Sequence, residues 1–153
     1  MLFDENGFLT PVDAIETDLS TFEQYFAQNQ HRQALFAHYL QFLEKLKGMD
    51  LGSFWQWSDG SFTTRTLQPH DIDIVTFVDF EKYRRFVRAF ETLQMTEKQN
   101  DLDCYFVAVY PENHRNYALF QSDSAAWFFQ FHKTRRSRRT GKQFRKGFIE
   151  IKF

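Results

Sequence analysis

The chain has a single cysteine, Cys104, among its 153 residues. One thiol cannot close an intramolecular disulfide, so cross-linking is excluded as a source of stability and a reducing, cytoplasmic compartment is expected. No run of about 18 uncharged apolar residues occurs, which leaves no transmembrane helix and no membrane partner to expect. The opening Met1-Leu2-Phe3-Asp4-Glu5-Asn6 is acidic and lacks the basic-then-apolar order of a signal peptide. The histidines (His31, His38, His70, His114 and His132) fall at no zinc spacing, and one cysteine supplies no thiolate cluster. Neither a P-loop pattern nor Gly-x-Gly-x-x-Gly is present, which argues against P-loop and Rossmann nucleotide binding.

What is present is a globular composition, with 42% hydrophobic and 25% charged residues. The length suffices for one domain with a real core and is too short for two, so residues 1–153 are read as a single domain. Twenty phenylalanines give it bulky core material. The net charge of −1 conceals an asymmetry. Residues 1–131 carry 10 Lys/Arg against 19 Asp/Glu, whereas residues 132–153 carry nine basic side chains against Glu150 alone. An acidic body with a basic end points to a polyanionic ligand near that end. The plain alternative is a solvated loop.

Periodicity and punctuation then predict the elements. Residues 1–19 read as an irregular lead-in. Ser20-Thr21-Phe22-Glu23 has the form of a capping box, opening a helix to about residue 28. A second helix is expected over about 31–47, with Gly48 as its stop. The two could also form one kinked helix. Ser53-Phe54-Trp55-Gln56-Trp57 reads as a short strand ended by the turn Ser58-Asp59-Gly60-Ser61. Residues 71–78 read as an inner strand, 81–93 as an amphipathic helix and 102–110 as another strand closed by Pro111. A helix over 124–131, a basic loop over 133–146 and a final strand over 147–153 complete the order. This is an α/β or α+β domain built on a small mixed sheet flanked by helices.

The chemistry concentrates in a few residues. Asp71 and Asp73 stand two apart, so on a strand both face one way, roughly 7 Å apart along it. Paired carboxylates on an inner strand are costly without a compensating positive charge, and no Lys or Arg lies within five residues on either side. Mg²⁺ is the natural compensator, since it takes carboxylate oxygens and keeps positions open for phosphate and water. Asp103, at the start of the next apolar strand, would complete a two-ion site; Asp101 replaces it if the register slips by two. Gly60 and Ser61, just after the aromatic strand, suit a backbone that approaches a phosphate. For Asp71 and Asp73 the plain alternative is a solvent-facing strand entrance, and for Gly60-Ser61 an ordinary turn. His70 could approach a metal or phosphate but reads more simply as a loop residue. Trp55 and Trp57 could stack on a base but read more simply as core.

Gly60-Ser61, a nine-residue gap and Asp71-Ile72-Asp73-Ile74 together resemble the signature of the DNA polymerase β-like nucleotidyltransferase superfamily. The wider run from Trp57 to Thr64, then Pro69-His70-Asp71-Ile72-Asp73, and the late Lys146-Gly147-Phe148-Ile149 are similar to a branch of small prokaryotic members. Many minimal members follow Gly-Ser with Ala-Arg-Gly, where this chain has Phe62-Thr63-Thr64-Arg65; Arg65 is the candidate for that arginine's role. The resemblance implies a nucleotidyltransferase-like fold. It implies that Asp71 and Asp73 hold two Mg²⁺ or Mn²⁺ ions, with Asp103 on the ion that activates an acceptor hydroxyl, and that Gly60, Ser61 and Arg65 bind the nucleoside triphosphate. A nucleoside monophosphate would pass to a protein or RNA acceptor, and members of the superfamily act in toxin–antitoxin and defence systems. The rival expectation is an inactive relative that binds RNA or a partner protein. Arg135, Arg136, Arg138 and Arg139 are the candidate polyanion contacts, expected to fold toward the Gly60 and Asp71 side. The oligomeric state is left open.

Overall fold

The computed structural model describes residues 2–153. A five-stranded mixed sheet carries the molecule, in the spatial order β3, β7, β4, β5, β6. Its strands are β3 (Ala14–Thr17), β4 (Trp55–Asp59), β5 (Ile72–Asp79), β6 (Leu102–Val109) and β7 (Phe148–Lys152). Pairs β3–β7 and β5–β6 are parallel, while β4 runs antiparallel to both β5 and β7. The α+β class and the inner position of β5 agree with the sequence reading.

The lead-in is not irregular. β1 (Leu2–Phe3) and β2 (Leu9–Thr10) form a small antiparallel ladder, and β3 joins the main sheet beside β7. These strands are too short to show a period, and the partner of β3 lies at the far end of the chain. The first helix, α1 (Leu19–Phe26), starts earlier than the Ser20 capping box predicts. Asp18 is its N-cap, accepting the Thr21 backbone N–H at 2.7 Å and the Thr21 hydroxyl at 3.1 Å, which puts Ser20 inside the first turn. α2 (Gln30–Lys47) is a separate helix capped by Asn29, whose side chain accepts from Arg32 N. Gly48 does end it, though in the ordinary right-handed conformation open to any residue.

Two other helices are longer than predicted. α3 (Phe80–Glu97) extends to a buried Glu97 that is ion-paired with Lys45 on α2. α4 spans Tyr117–Phe131, and its first two turns escape the sequence reading because its apolar residues lie all round rather than on one stripe. Helices α1, α2 and α3 pack a core on one face of the sheet, centred on Phe22, Phe42, Ile74 and Phe90. α4 alone packs the other face, over Trp57, Val75, Phe77 and Phe148. Trp57 is therefore core: its ring meets Phe77 and Phe148, and its Nε1 donates to Glu150. Trp55 stacks on Phe77 with ring centroids 5.0 Å apart. No helix among the described residues is long and apolar enough to cross a membrane.

Candidate metal centre

Cross-strand register assembles the centre. On the α4 face, Asp59 of β4 stands opposite Asp73 of β5, which stands opposite Asp103 of β6. The next row on that face, two residues along, is Trp57, Val75 and Tyr105. One face thus carries an apolar row under α4 and an acidic row at the end of the sheet, where the helix stops at Phe131. Side chains in adjacent strands stand about 5 Å apart, so one row brings its carboxylates within reach of one cation. Asp71 immediately precedes β5 and turns to the same side. Asp71, Asp73 and Asp103, all half-buried, offer oxygens that lie within 4.8 Å of one another. Asp101 does not join them: it is exposed, in the left-handed conformation (φ 59°), and its carbonyl accepts the Ile72 N–H at 3.0 Å.

The turn after β4 leaves room for this cluster. Gly60 has φ 86°, and a Cβ there would overlap Asp73 Oδ2. Only glycine lets the backbone turn past that carboxylate. Below it, the buried Arg32 of α2 donates to the Phe62 and Thr64 carbonyls, at 3.0 and 2.8 Å, with its guanidinium over the Phe62 ring. Arg32 therefore fixes the backbone that carries Gly60 and Ser61. Sequence reading missed it because a lone arginine on a helix reads as surface.

The acids are crowded. Burial, then the neighbouring charges of Asp71, Asp59 and Asp103, push the Asp73 carboxyl up to about 7. Burial and Asp103 raise Asp71, with Arg135 and His70 opposing the rise. Burial also raises Asp59, against the pull of the Lys146 ammonium that contacts it. The sequence places no cation near Asp71 and Asp73, yet the fold brings three to the acidic cluster, two of them from the C-terminal segment. Lys98 Nζ lies 3.4 Å from Asp103 Oδ1, Lys146 pairs with Asp59, and Arg135 stands close enough to lower the carboxyls of both Asp71 and Asp73. Lys146 and Asp59 are only 4% and 6% exposed, so this pair is a fixed part of the wall. Asp59 is the fourth acid of the centre. Sequence reading placed it in a turn, although its two-residue spacing from Trp57 gave its face.

Asp59, Asp71 and Asp73 open into a cleft of about 620 Å³, while Asp103 stands behind Asp73 and does not reach its lining. Its lining joins Gly60, Ser61, His70, Asp71 and Asp73 to Lys133, Thr134, Arg135, Gln143 and Lys146 from the C-terminal segment. The basic loop thus folds to the acidic side, as its charge predicts. Of its four candidate arginines only Arg135 reaches the lining, whereas Arg136 donates to the Gly141 carbonyl at 2.9 Å and Arg138 and Arg139 are exposed beyond it. Arg65 does not reach the cleft: its guanidinium lies over the Phe3 ring, 5.0 Å from the centroid, and its backbone N–H bonds Gly7. The turn over residues 61–63 aims it at the N-terminal ladder, so its expected nucleotide contact has no support in this geometry.

The donor set is made of carboxylate oxygens, backed by a glycine that leaves Asp73 room. Those features suit a cation that prefers oxygen. Among proteins already characterised, no curated protein and no solved structure matches this chain. The match that exists covers residues 1–152. On that match the chain belongs to a family of unknown function, DUF6932.

Proposed function

We propose that this protein is a metal-dependent nucleotidyltransferase, moving a nucleoside monophosphate from a nucleoside triphosphate to a hydroxyl of a protein or RNA acceptor. The observation that carries the reading is the convergence of Asp71, Asp73 and Asp103 within 4.8 Å beside a turn that only glycine can make. It agrees with the family resemblance carried by Gly60-Ser61 and Asp71-Ile72-Asp73. The three carboxylates would hold Mg²⁺ or Mn²⁺, two ions, with Asp71 and Asp73 shared between them. When bound, such ions offset charge on the phosphates and acidify an acceptor hydroxyl.

The chain's own residues position the reactants. Ser61 and Gly60 line the cleft where phosphate oxygens would lie, and Arg135 and Lys133 bring positive charge to the same lining. The acceptor oxygen forms a bond to the α-phosphorus as its proton passes to solvent water. The bond to the α–β bridging oxygen breaks, and pyrophosphate leaves. Positioning and charge neutralisation do most of the work in such a transfer.

The test incubates the protein with each labelled nucleoside triphosphate, Mg²⁺ or Mn²⁺ and cell extract, then separates protein from RNA. Label on an acceptor from wild type and none from Asp73→Asn is the expected result. Failure of wild type to bind Mn²⁺ in calorimetry, or equal labelling by both proteins, overturns the reading. Triphosphate binding without pyrophosphate release would mark the chain as a binder rather than an enzyme.

A further inference from the structure

Residues 133–145 form an arm with seven Lys/Arg and no acidic residue. Its limbs pair through Lys133 with Arg145, Thr134 N with Phe144 O at 2.8 Å and Ser137 N with Lys142 O at 2.8 Å. It is rooted in the cleft wall. Lys146, the next residue, gives its backbone N–H to His132 O at 2.8 Å and its ammonium to the buried Asp59. Both limbs contribute to the cleft lining, while the tip around Arg138, Arg139 and Lys142 projects past it.

None of the seven cations forms an ion pair with a carboxylate among the described residues. Residues 1–131 carry nine more acidic than basic side chains, so partners for a neutralised arm exist within the chain. The arm holds these cations at the mouth of the acidic cleft, with Arg135 near Asp71 and Asp73 and Arg138, Arg139 and Lys142 exposed at the tip. Aromatic rings stand beside them. Phe144 is 37% exposed with its ring 5.5 Å from Phe8, and Phe129 is 62% exposed under the Lys133 ammonium. Cations without a carboxylate partner, one exposed ring in the arm and a second at its root match what a single-stranded nucleic acid requires: charge along the phosphates and flat faces for the bases. An acidic protein would use the cations and leave the rings unused.

We propose that the 133–145 arm docks single-stranded RNA and leads its hydroxyl-bearing end to the carboxylates, which makes RNA the acceptor. The proposal rests on the nucleotidyl-transfer reading for the acceptor role alone; docking needs neither metal nor nucleotide.

The probe is a labelled mixed-sequence RNA of about 20 nucleotides, followed by fluorescence anisotropy over a salt series. Arg138→Ser, Arg139→Ser and Lys142→Ser are combined, since none of these side chains lines the cleft. Affinity should fall at least tenfold near 0.1 M salt, and the log–log salt slope should flatten by about 2, or roughly 0.7 per lost phosphate contact. Phe144→Ser should weaken binding by about tenfold with the slope unchanged, because stacking is uncharged. Mn²⁺ and inorganic triphosphate binding should be the same in wild type and the triple variant. RNA affinity within twofold of wild type in that variant overturns the proposal. So does a polyglutamate peptide that binds as tightly as the RNA and loses as much, an outcome that assigns the arm to an acidic protein. RNA that binds as expected while label passes to protein overturns the acceptor role. If wild type and Asp73→Asn are equally inert yet RNA binding depends on the arm, the transfer reading and the acceptor role fall while docking stands.

Discussion

The two faces of the sheet are made from alternate residues of the same strands, yet their ends are built for opposite purposes. Toward α1, α2 and α3, side chains such as Ile72, Ile74 and Val78 are fully buried among Phe22, Phe42 and Phe90. Toward α4, the apolar rows give way to Asp59, Asp73 and Asp103 at the end of the sheet. The first face lowers the free energy of the fold by removing apolar area from water. The second gathers like charges whose mutual repulsion opposes folding and is only partly offset by Lys98, Arg135 and Lys146. A strand serves both purposes because successive side chains point to opposite faces.

This contrast can be broken from either side. The largest expected effect lies in the apolar core, where Phe42→Ala should cost about 3–5 kcal/mol in denaturant unfolding. Mn²⁺ affinity of the protein that remains folded should not move. A parallel loss of metal affinity would mean the two faces are coupled through the strands.

The acidic face has one element with a structural cost of the same order. Lys146→Met strips the buried Asp59 of the ammonium that contacts it and should destabilise by roughly 3–5 kcal/mol. Combining it with Asp59→Asn should recover most of the loss, as read by a double-mutant cycle of chemical denaturation. Additive losses would show that Lys146 acts through packing rather than through this pair.

Removing the Asp73 charge should stabilise the metal-free fold at neutral pH, the reverse of the usual sign of a mutation. Asp73 ordinarily titrates near 3.8 and is held up at about 7 in the fold, so its carboxyl binds protons more tightly folded than unfolded. That contribution is fully present below about pH 4 and is lost as pH rises through 7, by on the order of 2–4 kcal/mol. Metal-free protein should lose stability from pH 4 to 7, and Asp73→Asn should flatten that slope and melt higher than wild type at neutral pH. Millimolar Mg²⁺ or Mn²⁺ should raise the wild-type melting temperature, and Asp73→Asn should show a smaller gain. An equal metal-induced gain in both proteins would count against Asp73 as a ligand.

The smallest stability effect should come from Gly60→Ala. Its positive φ and the overlap of the new methyl group with Asp73 should cost about 1–3 kcal/mol. Mn²⁺ affinity should nevertheless fall more than tenfold by calorimetry, because Asp73 must move aside. Unchanged affinity would show that the carboxylate has room elsewhere.

Much of the fold was legible from short-range pattern. The α2 rhythm, the apolar run of β5 and the spacing of Asp71 from Asp73 each state a local geometry, and the structure keeps all three. Elements that owe their form to distant partners were missed or cut short. β3 has four residues and exists because β7 lies beside it, and α4 has no apolar stripe because its environment includes the sheet, the cleft and open surface. Arg65 illustrates the same limit at the site. The family resemblance implied a nucleotide contact for it, but the short turn over residues 61–63 carries it to Phe3.

The sequence by itself determined the composition of the core, the period of most elements and the pairing of Asp71 with Asp73 on one side of a strand, because each depends on residues close along the chain. Only the tertiary structure decided that Asp59, Asp73 and Asp103 form one row, that Lys98, Arg135 and Lys146 supply its counter-charge, and that Arg32 holds the turn carrying Gly60. Register between strands joins residues tens of positions apart, and hydrophobic patterning fixes which face a side chain takes without naming its neighbour across the strand gap.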